Sequence, residues 1–174
     1  MFVIESIARA HIPRIHLAID AVSREGGVLG ITQAPPITEF SRQMQVAIES
    51  GSPQCVATVG EEVVGWCMIC RNEFPLFKHV GYLFMGILPH WRRRGIGTSL
   101  LQTSLGDAWG NQFQRIELEV LCMNDPAIAL YRRFGFVTEG VKRQAYLSGE
   151  KYSDVLVMGL LKHRSAAGLA GHLT

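Results

Sequence analysis

Apolar residues recur along this chain at two different periods. In residues 2–7, 54–59 and 62–70 they alternate or run together in short β-branched blocks, while Ile12, Ile15, Ile19 and Val22, and later Phe40, Met44 and Ile48, recur every three or four positions. The first spacing predicts strands and the second predicts helices with one buried face. Gly26-Gly27 should end the first helix, and Pro35-Pro36 should hold the following segment as loop. Thr38 is placed to cap the second helix, Glu39 suits its first turn and Gly51 closes it. A tight turn near Gly60 makes 54–59 and 62–70 a hairpin. A third strand, Val80–Ile87, leads into a helix with Leu100, Leu101 and Leu105 on one side. A strand over 115–120 and a short helix over 125–134 follow, the helix with Asp125 as cap, Pro126 in its first turn and Gly135 as its stop. The last pair of strands turns around Ser148-Gly149.

The element order is thus β-α-α-β-β-β-α-β-α-β-β. Strand Val80–Ile87, its helix and the strand over 115–120 form one β-α-β unit, which calls for a parallel pair with a right-handed crossover. The flanking hairpins are antiparallel. The expected fold is α/β (α+β), a mixed, mostly antiparallel sheet of about seven strands with helices on both faces. Residues 1–162 read as a single domain, and 163–174, which have no period, as a flexible tail.

Composition narrows the function classes. The chain has 174 residues, 48% of them hydrophobic, enough for one full core. A net charge of +2 is too mild to argue for nucleic acid, and the basic residues outside one arginine cluster are scattered. No apolar run reaches the roughly 18 residues a membrane span needs. Glu5, Arg9 and Arg14 interrupt any export signal, so a cytoplasmic location with free thiols is expected. Cys67 and Cys70 spell C-x-x-C, but on a strand residues three apart face opposite ways and cannot share a metal. They read as packed core cysteines, and no metal is expected.

The candidate chemistry lies where the third strand meets its helix, at "LPHWRRRGIGTSLL", residues 88–101. Unpaired N–H groups and the positive end of the helix dipole make such a junction an anion site. Gly95 and Gly97 let a phosphate approach the main chain, and Arg92, Arg93 and Arg94 add charge at the rim. No lysine follows the glycines as a Walker loop requires, and Leu100 stands where a dinucleotide fingerprint needs its third glycine.

Arg92-Arg93-Arg94-Gly95-Ile96-Gly97 resembles the [Q/R]-x-x-G-x-[G/A] signature of the GNAT superfamily of N-acetyltransferases. "NDPAIALYRRFGF", Asn124 to Phe136, is similar to that family's second signature, N-x-x-A-x-x-L-Y-x-x-x-G-F. The resemblance implies a central parallel pair that splays apart to admit acetyl-CoA as co-substrate. The backbone of Met85, Gly86 and Ile87 would pair with its pantetheine arm. The N–H groups from Arg93 through Ile96, Gly97 and Thr98 would hold its pyrophosphate, and Asn124 would contact the pantetheine. Tyr131 would point its hydroxyl at the sulfur and protonate the departing thiolate. The acceptor would be a primary amine attacking directly: a polyamine, an amino acid, an amino sugar or a protein N-terminus. The acceptor pocket would be walled by the first two helices, their loop from Glu25 to Phe40, and the turn near 146–152. Glu25, Glu39, Glu119 and Asp154 are the carboxylates available to a cationic amine. For the base, Glu119 is favoured over Glu117 and His79, with a water chain as the alternative. The resemblance is also compatible with a homodimer through the last strands. A reading from another class is an acyl-CoA sensor that binds without turnover.

Overall fold

The computed structural model describes residues 1–26 and 29–162, so the expected tail at 163–174 lies outside the described residues. The chain forms β1 (Val3–Ser6), α1 (Ile12–Ser23), α2 (Ile37–Glu49), β2 (Gln54–Val59), β3 (Glu62–Arg71), β4 (Val80–Ile87), α3 (Ile96–Gly110), β5 (Arg115–Leu121), α4 (Asp125–Arg133), β6 (Val137–Ser148) and β7 (Lys151–Leu161), with short 3-10 turns before α1 and on either side of β4. The strands make one seven-stranded sheet in the order β1-β2-β3-β4-β5-β7-β6. Only β4 and β5 run parallel, and every other neighbouring pair is antiparallel. The expected mixed sheet is the one observed.

Strand alternation sorts the core into two layers. Ile15, Ile19 and Val22 of α1 pack with Phe40 and Met44 of α2 against Val56, Val63 and Trp66. On the other face, Leu100, Leu101 and Leu105 of α3 join Ile128 and Tyr131 of α4 over Cys67, Ile69, Leu83, Ile116 and Leu118. The helical stripes read from spacing are therefore the buried faces. Burying one such aliphatic side chain contributes about 1.5–3 kcal/mol, so each stripe dominates the placement of its helix.

Two caps differ from the sequence expectation. The second helix starts at Ile37 with Pro36 at its N-cap, and no side chain caps it. Thr38 sits inside the first turn because Pro36 is extended (φ −51°, ψ 135°) and its carbonyl already takes the Phe40 N–H at 3.0 Å. In α4 the cap is Asn124, not Asp125: its side chain accepts from the Ala127 N–H at 3.3 Å. The C-x-x-C pair separates as strand geometry requires. Cys67 is buried, but Cys70 is exposed and is no core cysteine. Its face of β3 passes beyond the cover of α1 and α2, toward exposed Tyr82 and Phe84 on β4.

Candidate active site

The parallel pair holds together for only three residues, Val80, Gly81 and Tyr82 against Arg115, Ile116 and Glu117. Beyond them β4 continues to Ile87 paired to β3 alone, while β5 continues to Leu121 paired to β7. The strands thus part into a wedge at the sheet's centre. Antiparallel alternation decides which groups face it. The Asn72 N–H bonds to Val80 O and the Leu88 N–H to Val64 O, so even-numbered residues of β4 direct their amides and carbonyls at β3. Odd-numbered residues, Leu83, Met85 and Ile87, direct theirs into the wedge.

That parity corrects one sequence-based assignment. Met85, through its N–H and carbonyl, and Ile87, through its N–H, can pair with an extended ligand, whereas Gly86 turns its own groups toward β3. Gly86 is needed for another reason: it sits opposite Trp66, and a Cβ there would overlap the indole. Trp66 is itself almost fully buried against α1.

At the mouth of the wedge the arginine-glycine turn starts α3. Gly95 is the N-cap in the left-handed region (φ 82°), and Arg93 is left-handed too (φ 64°), unusual for a residue with a side chain. The Ser99 N–H bonds to Gly95 O at 3.1 Å, which leaves the N–H groups of Ile96, Gly97 and Thr98 without an intrahelical acceptor. A Cβ on Gly95 would meet nothing within 4 Å, so the turn opens onto free space. At Gly97 a Cβ would come within 3.1 Å of Leu130 and 3.2 Å of Ile87, so this glycine lets α3 sit close to α4 and β4. Open amides at a helix N-terminus, with an unpaired strand edge alongside, fit a long ligand carrying a diphosphate.

The three arginines do not act alike. Arg94 lies over the Trp91 ring, its guanidinium carbon 4.8 Å from the centroid, and Arg93 is exposed. Arg92 turns away from the amides. Its Nη1 and Nη2 donate to the two Glu25 oxygens at 2.8 and 2.6 Å, and its Nε donates to Ile87 O at 3.0 Å. Arg92 is therefore not at the phosphate rim, and Glu25 is occupied rather than open to an amine.

Tyr131 lies beneath the wedge, 7% exposed, edge-on to Phe136 with centroids 5.7 Å apart. Burial raises its pKa above the ordinary phenol value, and the neighbouring Cys67 thiol adds to the rise. Cys67 faces Met85 across the β3–β4 pair, which puts the phenol beside the unpaired half of β4. Asn124 spends its side-chain oxygen on the α4 cap, so its amide N–H groups remain for a ligand.

On the opposite face of the sheet, Glu117 and Glu119 project as strand spacing predicted. Arg115 holds Glu117 at 2.5 Å and also pairs with Glu139, while Lys142 of β6 pairs with Glu119. Asp154 is structural: its Oδ1 accepts the Gln144 N–H at 2.8 Å at an irregularity in β6. The open floor between these carboxylates and β4 carries Tyr82 and Phe84, the latter 56% exposed. Sequence reasoning passed over both. Their signal was present, since they are the aromatic residues on the even positions of a strand whose odd positions are core.

Known proteins resemble this chain in sequence and in fold. The profile of the acetyltransferase (GNAT) family matches residues 29–136. The L-amino acid N-acetyltransferase AaaT of Escherichia coli is 30% identical over 132 residues, covering 75% of this chain and 81% of its own. An N-alpha-acetyltransferase of Sulfurisphaera tokodaii is 36% identical over 105 residues, and there the match spans 62% of the relative's length. The structure of yncA from Salmonella typhimurium, solved with its cofactor acetyl-CoA, superposes with a TM-score of 0.87 over 97% of this chain and 98% of its own, at 16% identity.

Proposed function

The chain belongs to the GNAT family of acetyltransferases, and from that premise we propose that it carries an acetyl group from acetyl-CoA to a primary amine by direct attack in a ternary complex. The observation that carries this reading is the conjunction of a strand edge that β5 leaves unpaired, from Leu83 to the Ile87 N–H, with the open amides of Ile96, Gly97 and Thr98. Pantetheine has amides to match the first, and a diphosphate matches the second. Arg93 and Arg94 supply the neutralising charge, and the Asn124 amide lines the opposite lip.

Acetyl-CoA supplies a thioester, an acyl group already activated toward nitrogen. The chain supplies the rest. The main-chain N–H of Ile87 is placed to stabilise negative charge developing on the acyl oxygen. Tyr131, kept protonated by its burial, donates to the departing sulfur. An amine with a pKa near 10 must lose a proton before it attacks. Glu119, on the open face, is the base, reached once Lys142 yields the carboxylate to an incoming ammonium. The acceptor pocket lies between the α1–α2 connection and the β6–β7 turn, with Tyr82 and Phe84 as its floor. Acceptors of the amino-acid or peptide N-terminal type, the classes named for AaaT and for the N-alpha-acetyltransferase, suit a pocket that pairs carboxylates with aromatic rings. We place the protein in the cytoplasm as one domain over residues 1–162.

Calorimetry with acetyl-CoA, then thiol release with L-amino acids and short peptides bearing free N-termini, tests the proposal. Saturable uptake and amine-dependent release are expected, and Glu119→Gln should lower kcat about a hundredfold while acetyl-CoA affinity stays near wild type. Uptake without release for every amine would leave a binding module in place of an enzyme.

A further inference from the structure

The arginine that opens the phosphate signature directs its whole guanidinium at protein atoms. Resting on the acetyltransferase reading, we propose that Arg92 is a positioning residue: with Glu25 and the Ile87 carbonyl it forms a brace that holds the acceptor-side wall against the strand that carries the thioester.

All three guanidinium nitrogens are committed. Nη1 and Nη2 meet the Glu25 carboxylate two-on-two at 2.8 and 2.6 Å, and Nε reaches Ile87 O at 3.0 Å. A planar fork makes such a three-way link possible; an ammonium, a point charge on a flexible stem, cannot reproduce it. Each end of the link meets a need set by the fold. Ile87 is the last residue of β4, and strand parity sends its carbonyl into the wedge, where β5 no longer runs alongside to bond it. Arg92 supplies the missing donor and leaves the Ile87 N–H free for its work on the acyl oxygen.

Glu25 lies just past the end of α1, at the start of the connection to α2. That connection is tied again at its far end, where His16 Nε2 donates to Pro35 O at 2.7 Å and the Ala34 N–H donates to Asp20 Oδ1 at 3.0 Å. Those far-end ties all belong to α1. Arg92 is a polar link that runs instead from this wall to β4, beside the apolar packing of Leu29, Ala34 and Leu88 on a shared core, so it helps set the distance between the amine and the acyl carbon. Salt bridges at this degree of exposure, 36% for the Arg92 side chain and 26% for Glu25, add little to global stability. The effect of the pair is local.

The test compares Glu25→Gln, Arg92→Lys, the double variant and Arg93→Ala with the wild type. Amide exchange over residues 29–36 in the ligand-free protein should rise about fivefold or more in Glu25→Gln and Arg92→Lys, and no further in the double variant, because both changes cut one link. Acetyl-CoA affinity by calorimetry should stay within about twofold in those variants and fall several-fold in Arg93→Ala, which removes an exposed charge two residues before the Gly95 N-cap. For the amine that gives the fastest thiol release, KM should rise about tenfold in Glu25→Gln, with a smaller change in kcat. Arg92→Lys weakening acetyl-CoA as much as Arg93→Ala would make Arg92 a phosphate ligand and overturn the brace. Unchanged exchange over 29–36, or additive effects in the double variant, would overturn it as well. A wild type that takes up no acetyl-CoA would instead sink the acetyltransferase reading, and the exchange comparison would still decide the brace.

Discussion

Tyr131 and Gly86 show how much single residues decide here. Among the described residues none hydrogen-bonds the Tyr131 phenol, so its burial is not relieved there. It stays a proton donor at any working pH, and a donor is what a departing thiolate needs. Tyr131→Phe keeps the ring packing against Phe136 and removes only that donor. Its kcat should fall about a hundredfold, while acetyl-CoA affinity by calorimetry stays near wild type. A variant that instead lost affinity and kept kcat would make the tyrosine a wall of the cofactor groove. Gly86 makes the opposite case, a residue whose value is the side chain it lacks. Gly86→Ala must push Trp66 out of a site where it is almost fully buried. The cost should be about 1–3 kcal/mol by urea denaturation. The expectation from sequence, that Gly86 serves the cofactor through its backbone, missed this because the glycine's neighbour comes from another strand.

At the scale of elements, the parting of β4 from β5 is the feature that makes a site. Both strands were legible from sequence, as was their parallel arrangement, since a single helix connects them. Where they separate was not legible in any residue of either strand. It follows from β5 staying with β7 up to Leu121 while β4 stays with β3 up to Ile87. Hydrogen exchange resolves this directly. In the free protein the Met85 and Ile87 amides should exchange at least about tenfold faster than those of Phe84 and Gly86, which bond to β3. Adding acetyl-CoA should slow Met85 and Ile87 selectively. Equal protection along β4 in the free protein would mean the wedge is closed by something else in the chain.

For the molecule as a whole, stability against alkali reports how the core was assembled. Cys55, Cys67 and Tyr131 lie in one layer between the sheet and the α3–α4 pair, and burial raises the pKa of each. A group whose folded value is raised contributes fully below its unfolded value and loses that contribution as pH climbs past it. The urea midpoint should therefore hold between pH 7 and 8 and decline above about pH 8.5, where unfolded thiols ionise, and more steeply near pH 10, where the phenol joins them. Each group adds up to about 1.4 kcal/mol per pH unit to the slope. Cys67→Ala should flatten the first part of the decline, and a slope unchanged by that substitution would mean the thiol is not held protonated by the fold.

What the chain alone determined were the properties written in near neighbours: the period of each stripe, the glycines that stop helices and make turns, and the two signatures joining strand to helix. These are local because dihedral preferences and helix-end donors depend on a few consecutive residues. The caps at Pro36 and Asn124 lay at the edge of that legibility, two residues and one residue from the expected positions. What only the tertiary structure decided were pairings over long separations: Arg92 with Glu25, Lys142 with Glu119, Trp66 over Gly86, and the point at which β4 leaves β5. In those the partner is chosen by which strands end up side by side, and no run of adjacent residues carries that information.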